Sequence, residues 1–455
     1  MSEPLKLKKL ILLAGDIGML LLSLPLTLLI AFQGRFNRQI LMDHLLPFLF
    51  IYGFLLVLFY VNNMYDMKAF KSTTSLAASI VIIHGLGVLA GIVFFYLLTD
   101  PAITPKTNLA LNMVAASFLI WGWRAFFQRF LTSHLSVRVA IAGMNEHAKE
   151  LADIITKRPY MGYKLVACIP SEPLFGHTFE GDVKTIFTDK HLVENLKKEN
   201  IGTIIMTENP HLNPVIAQAF YECIPHRIQF LDLAQSYELL TGRIPISYIN
   251  QTWFLENINE KTKQLYDSVK RVFDIFASIS ILCASLPLWP FIAFFIKWGS
   301  AGPVFYSQER VGANQKRFQL LKFRSMIHNA ERGVPLWAKI NDPRVTRIGK
   351  LLRRTHLDEL PQMINVFKGE ISFVGPRPER KEFVDVLEKQ IPHYNIRHII
   401  KPGFTGWAQV NFRYARTPMD TYEKFQYDLF YLKNRSLILD LSIILKTLRL
   451  FLKNE

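Results

Sequence analysis

The sequence predicts membrane α plus α/β architecture: a four-helix transmembrane bundle, a Rossmann-like doubly wound domain, and a mainly α domain with a re-entrant membrane helix. Three patterns carry this expectation. Four apolar runs crowd into the first 135 residues, strand-like and helix-like stretches alternate over 136–256, and a long apolar stretch broken by prolines opens 257–455. Half of the 455 residues are apolar, and Lys plus Arg (53) exceed Asp plus Glu (37), for a formal charge of +16. This composition excludes a disordered, collagen-like or small disulfide-bonded chain, and it points to an anionic partner: lipid headgroup, phosphate ligand or nucleic acid. The three cysteines, Cys168, Cys223 and Cys283, stand far apart without neighbouring histidines, which rules out a disulfide framework or thiolate metal site.

The apolar runs cover 10–32, 45–61, 76–98 and 109–131, each near the ~20 residues that cross a bilayer. The first is too long for a signal peptide and lacks a small-residue cleavage site, so it is expected to stay in the mature protein. Lys6, Lys8 and Lys9 precede it, Lys68 and Lys71 follow the second run, and Arg129 and Arg138 flank the fourth run's end. The opposite loops hold only Arg35, Arg38 and Lys106, which places the amino terminus and everything after the fourth run in the cytoplasm. Asp16 and Arg124 are intramembrane charges without an obvious partner in sequence, and packing or interfacial snorkelling is their expected role.

From Val137 short apolar runs alternate with amphipathic stretches, as in a parallel doubly wound domain. Where a dinucleotide fold would carry G-x-G-x-x-G, the positions read Gly143, Asn145 and Ala148. Two of three glycines are missing, and the expectation is a module that binds no dinucleotide.

The third region has Lys270 and Arg271 before the apolar stretch 272–296 and Lys297 after it. Pro287 and Pro290 disfavour a straight helix, and a straight span would carry the basic remainder outside. A hairpin at about 270–298 that enters and returns on one face is therefore expected.

Beyond it the cations are dense: among them stand Arg310, Lys322, Arg324, Arg332, Lys339, Arg353, Arg354 and Arg377, while Glu331 is one of the few acids. A solvated face against anionic lipid would account for many of these singly. Gly375, Pro376 and Pro378, however, fix the backbone around Arg377 and aim a planar donor group, which suits bidentate phosphate recognition. Asp358 and Glu359 stand amid these cations, at or just before the start of a helix marked by Leu357, Leu360, Pro361, Met363, Ile364 and Phe367. Taken alone, such a pair reads first as a helix cap. Its functional reading is an ionised carboxylate, kept at low pKa by Arg353, Arg354 and the helix dipole, that attacks phosphorus while its neighbour helps hold Mg²⁺.

Several blocks in one order now carry a resemblance: KRVFD (270–274), GPVFYSQERVG (302–312), KFRSM (322–326), DPRVTRIGKLLRRTHLDELPQMINVFKGEISFVGPRP (342–378), KPGFTGWAQV (401–410) and YDLFYLKN (427–434). Residues 270–452 resemble the catalytic domain of the bacterial sugar transferases, the polyprenyl-phosphate hexose-1-phosphate transferases or monotopic phosphoglycosyl transferases. The amino-terminal regions are similar to those of the large members. The resemblance implies a mainly α catalytic domain in which Asp358 attacks the sugar-bearing phosphate of a UDP-sugar, releasing UMP and leaving a phosphosugar on the enzyme. Undecaprenyl phosphate then takes that group. Glu359 is implied as partner carboxylate, Asp358 and Glu359 as the place of Mg²⁺, and Lys322, Arg324, Arg353, Arg354, Gly375, Pro376, Arg377 and Arg310 as phosphate or nucleotide contacts. The family's hairpin usually breaks at Ser-Pro, whereas here Leu286 precedes Pro287 and Pro290 is added.

The resulting expectation is a multi-pass protein of the bacterial inner membrane, in contact with its lipid and compatible with a homodimer, with its active site on the cytoplasmic face and a hexose, glucose or galactose, as cargo. A non-catalytic membrane scaffold and a diphosphate hydrolase are the alternatives. Nucleic acid is disfavoured as partner, because the basic cluster follows a membrane hairpin and lacks a recognised reading module.

Overall fold

The computed structural model describes residues 3–35, 37–65, 73–97, 105–131, 136–158, 161–170, 183–188, 191–207, 214–327, 342–412 and 418–453. Lys68, Lys71, Glu331, Arg332 and Lys339 lie outside the described residues, as does the side chain of Lys106. The chain divides into two compact units, Met1–Thr241 and Gly242–Glu455.

Four helices open the first unit: α1 (Glu3–Ala31), α2 (Arg38–Val61), α3 (Thr73–Leu97) and α4 (Pro105–Phe126). Their apolar composition leaves many leucines and phenylalanines exposed outward, while Leu24, Leu28, Phe48, Ile80, Ile83 and Ile120 share one buried core. With little hydrophobic drive between helices in lipid, polar contacts help select the packing. Asn112 donates to Ser23 Oγ at 3.0 Å and to Thr27 Oγ1 at 3.2 Å, and the Tyr52 hydroxyl donates to Asn112 Oδ1 at 3.1 Å. Asp16 and Arg124 are each other's partner, with Arg124 Nη2 at 2.5 Å from Asp16 Oδ2 and both side chains buried. Of the two roles expected for them, packing is the one observed and snorkelling is not: a partner 108 residues away in sequence removes the need to reach water.

The same unit contains a five-stranded, all-parallel sheet of β1 (Val137–Ala142), β2 (Tyr163–Ile169), β3 (Lys184–Thr185), β4 (Ile201–Met206) and β5 (Gln229–Asp232), ordered β3-β2-β1-β4-β5. β1 lies centrally and its last four residues are buried, as a strand covered on both faces requires. Between β1 and α5 (Glu146–Lys157), Gly143 takes φ 99°, a conformation available at low cost to glycine. Asn145 then caps α5 by accepting from Ala148 N–H at 2.9 Å, and its amide donates to Thr207 O at 3.2 Å. A side chain of the chain itself thus takes the helix-end N–H that a bound phosphate would use.

The second unit begins earlier than residue 257. Ile244 and Ile246 are buried, Ile244 N–H donates to Gln426 O, and Trp407 Nε1 donates to Gly242 O. After α6–α9 (Leu192–Lys198, Pro214–Cys223, Leu233–Thr241, Gln251–Asn257) comes the apolar stretch, formed by α10 (Gln264–Ser285) and α11 (Trp289–Gly299). A 3₁₀ turn at Leu286–Leu288 separates them where Pro287 and Pro290 remove backbone donors, and the backbone of Ser285, Leu286, Leu288 and Trp289 stays right-handed helical through it. Val272, Phe276, Leu286, Phe291, Phe294 and Trp298 are exposed along this pair, an apolar surface far larger than water favours. By length and composition, five helical runs among the described residues could cross a membrane, four in the first unit and this one, counted as Gln251–Gly299.

The motif KRVFD clamps α10 to later chain. Lys270 pairs with Asp440 at 2.5 Å, Arg271 donates to Val366 O and Phe367 O, and Asp274 Oδ1 accepts from Phe373 N–H. An antiparallel hairpin follows, β6 (Phe305–Val311) with β7 (Arg317–Phe323), and then α12 (Arg347–Arg354), α13 (Gln362–Lys368) and β8 (Ser372–Val374). After α14 (Lys381–Gln390), β8 pairs in parallel with β9 (Gly403–Thr405). Gly375 and Gly403 let two stretches of backbone touch at this point, since a Cβ on Gly403 would come within 2.0 Å of Gly375 N. α15 (Trp407–Asn411), α16 (Pro418–Asn434) and α17 (Leu437–Lys453) complete the unit. On α17, Ile443 is buried and Lys446 lies 4.8 Å over the Trp407 ring, so one face packs inward while Ile438 and Leu441 stay exposed.

Candidate active site

Asp358 and Glu359 occupy a 3₁₀ turn, Leu357–Glu359, just before α13, with Pro361 as the residue that starts the helix. His356 ahead of them is left-handed at φ 54°, a conformation that costs energy for a residue with a Cβ and turns the chain sharply between α12 and the acid pair. Asn365 on α13 stitches β7 alongside: its Oδ1 accepts from Leu321 N–H at 3.0 Å and its amide donates to Gln319 O at 2.7 Å. That register brings the next residue, Lys322, to Glu359 Oε1 at 2.5 Å. Arg377 reaches the same oxygen from the loop after β8, at 3.5 Å. Arg353, at the end of α12, donates from Nε to Ser325 Oγ at 2.8 Å and contributes positive charge near Asp358.

The pair is split electrically. Burial pushes the Asp358 carboxyl above the usual carboxylate range, although Lys322 and Arg353 oppose this, and the Glu359 charge adds to the rise. For Glu359 burial acts in the same upward direction, but Lys322 and Arg377 outweigh it and hold the carboxyl at about 2. The expectation of a low pKa at Asp358 is thus reversed: the close cations sit on Glu359, Arg354 is exposed, and burial dominates at Asp358. Two adjacent carboxylates pushed apart in this way suit two different roles.

Not every predicted phosphate contact joins them. Arg324 is 6% exposed and donates to Ala301 O at 2.8 Å and Ser300 O at 2.6 Å, closing the end of α11. Arg310 donates to Pro378 O and Gln308 Oε1. Gly375 and Pro376 contribute backbone, Gly375 N–H to Thr405 O and Pro376 O to Gly403 N–H. Asp358, Glu359, Lys322, Arg353 and Arg377 are the residues that the fold gathers. Sequence reading passed over Ser325, His356 and Asn365; a buried amide within an apolar helical period was the available signal for Asn365. A cavity of about 280 Å³ lies elsewhere, lined by Lys270, Arg271, Asp274, Ser372 and Lys401, at the opposite end of α13 from the acid pair.

A half-exposed arginine and a lysine surround paired carboxylates, next to the apolar helix α11, which packs against Leu352, Leu357 and Leu360. Residues 265–454 match the family described as Bacterial sugar transferase. The chain is 41% identical over 230 residues to the UDP-N-acetylgalactosamine-undecaprenyl-phosphate N-acetylgalactosaminephosphotransferase of Aeromonas hydrophila, covering 50% of this chain and 54% of that protein, about half its length. It is 33% identical over 355 residues to the UDP-glucose:undecaprenyl-phosphate glucose-1-phosphate transferase of Xanthomonas campestris pv. campestris, covering 74% and 70%. A protein of the same name from Escherichia coli (strain K12) is 33% identical over 324 residues, covering 68% and 66%. The chain belongs to the bacterial sugar transferase family.

Proposed function

We propose that the protein transfers a sugar-1-phosphate from a UDP-sugar to undecaprenyl phosphate, through a phosphosugar carried on Asp358, and so starts a surface polysaccharide repeat unit. The observation that carries this reading is the acid pair with its cations: Glu359 is held by Lys322 and Arg377, while Asp358 beside it has no hydrogen-bonding side chain among the described residues. An Asp358 oxygen attacks the sugar-bearing phosphorus, the bond to the UMP oxygen breaks, and UMP leaves with those electrons. Lys322 and Arg377 face the diphosphate as charge builds on the leaving group. A phosphate oxygen of the lipid then attacks the same phosphorus and releases Asp358. The exposed apolar surface of α10 and α11 favours a hairpin that enters and returns on the cytoplasmic face of the inner membrane, where the lipid phosphate lies.

The residues fit Mg²⁺. Asp358 is a buried carboxylate whose ionised form a cation would favour, and Glu359 stands beside it, although its near oxygen is taken by Lys322. Among the described residues no group of three or more His, Cys, Asp or Glu side chains is arranged to hold a metal ion, so substrate phosphates and water would complete the shell, as is usual for this ion. When bound, the ion would draw charge from the diphosphate.

The relatives' names contain both glucose and N-acetylgalactosamine. A hexose is the proposed cargo, glucose or galactose first, and a homodimer is compatible with the reading. A panel of UDP-glucose, UDP-galactose and UDP-N-acetylgalactosamine assayed for UMP release identifies the donor. With that donor labelled in its sugar and no polyprenyl phosphate present, label is expected on the peptide containing Asp358. Asp358→Asn should lower UMP release by about 10³-fold or more and Glu359→Gln by about 10²-fold. Turnover only through a ternary complex, with no label retained by lipid-free wild-type enzyme, would eliminate the covalent step.

A further inference from the structure

The loop 375–380, Gly-Pro-Arg-Pro-Glu-Arg, carries Arg377, and its two prolines offer no N–H. The loop is instead fastened by its carbonyls. Four in succession accept hydrogen bonds from three other segments: Pro376 O from Gly403 N–H at 2.8 Å, Arg377 O from Arg397 Nη2 at 2.9 Å, Pro378 O from Arg310 Nη1 at 3.2 Å, and Glu379 O from Val311 N–H at 3.0 Å. Two of the four donors are arginine side chains, Arg397 buried and Arg310 half-buried. Arg397 is 4% exposed; its Nη1 donates to the Tyr394 hydroxyl at 2.7 Å, and its Nη2 is shared between Arg377 O and Asp428 Oδ2 at 2.9 Å. Arg310 spends its other Nη on Gln308 Oε1 at 2.7 Å. The side chain of Arg377, in contrast, is 42% exposed beside Glu359.

We propose that Arg397, seconded by Arg310, is a positioning residue: by holding the Arg377 and Pro378 carbonyls it sets the direction in which the Arg377 guanidinium meets the donor diphosphate, without touching substrate itself. This rests on the reading of Arg377 as a diphosphate contact. A planar fork serves the Tyr394 hydroxyl from Nη1 and the Asp428 carboxylate and Arg377 carbonyl from Nη2, a spread over two nitrogens that a single ammonium lacks. Arg397→Lys keeps the charge opposite Asp428 and loses that simultaneous reach, so the loop relaxes while the interior stays neutralised.

The test is a double-mutant cycle on the full-length protein, with UMP release measured against concentration of the UDP-sugar that the panel identifies as donor. Arg397→Lys should raise KM about tenfold with kcat within about threefold of wild type, because the lost interaction is one of binding geometry. On an Arg377→Ala background the same substitution should move KM by less than about twofold, since its effect passes through the side chain already removed. Equal fold-changes in both backgrounds overturn the proposal alone. Wild-type KM and kcat in Arg377→Ala would instead remove the reading of Arg377, and the proposal with it. If Arg397→Lys fails to accumulate as folded protein, Arg310→Lys replaces it in the cycle and is decided by the same two results.

Discussion

Arg124 in the first unit and Arg377 in the second both stand beside a carboxylate, and they differ in what each leaves over. Arg124 uses Nε and Nη2 on Asp16 and Nη1 on Met64 O, and its side chain is 3% exposed. Arg377 makes one long contact to Glu359, shares that carboxylate with Lys322, and keeps much of its fork open. The two glycine loops differ in the same way: Asn145 fills the helix end after Gly143, whereas the loop after Gly375 is tied by its backbone and leaves its arginine outward. A saturated buried pair fixes packing, and a cluster with spare donors is ready for an incoming anion.

The contrast can be broken by substitution. The largest effect after Asp358→Asn should come from Asp16→Ala, which leaves a guanidinium buried without its counter-charge. Loss of roughly 3–5 kcal/mol of stability is expected. Yield and melting temperature should fall, while UMP release per folded molecule stays near wild type; a selective loss of turnover with normal yield would assign Asp16 to the chemistry.

Truncation sharpens the boundary between the two units. A fragment of residues 242–455 should release UMP, because all of the gathered site residues lie within it. A fragment starting at 257 loses the buried Ile244, Ile246 and Phe254, and should be less stable by several kcal/mol, at about 1.5–3 kcal/mol per side chain. Equal melting temperatures for the two fragments would show that residues 242–256 do not belong to this fold unit.

Acid should weaken the second unit through His398, next to Arg397, and through Glu379, a member of the Arg377 loop. Burial first, and Arg397 next, push His398 down to about 3, and Lys424 and Arg397 overcome burial to hold Glu379 at about 2. Both folded values lie below the unfolded ones, so the unfolded chain binds protons first as pH falls. The His398 contribution is complete above about 6.5 and is lost toward 3; that of Glu379 is complete above about 4.5 and is lost toward 2. The melting temperature of fragment 242–455 should drop by several degrees between pH 7 and 5, and His398→Asn should flatten that limb.

The smallest effect belongs to Asn145→Ala. Loss of the cap should cost about 1 kcal/mol and leave turnover unchanged. A change in the KM for the UDP-sugar would connect the first unit to substrate binding.

Features that depend on local pattern were legible in the amino-acid order: four apolar runs, the alternation that becomes a parallel sheet, an interruption of the α-helix at Pro287, and the acid pair placed just before α13. Each follows from the period of apolar residues or from a missing backbone donor, and both can be read within about twenty residues. Which cations stand beside the acid pair depends instead on packing between distant segments. Lys322, Arg324, Arg310 and Arg377 are chemically alike in sequence, but a long side chain goes where the nearest unsatisfied acceptor lies. For Arg324 these are the Ala301 and Ser300 carbonyls, and for Arg310 the Pro378 carbonyl. For Lys322 it is Glu359, because Asn365 locks β7 to α13, and the pairing that closed Asp16 onto Arg124 joins residues 108 positions apart. Such partners are brought together by packing, which no local period records.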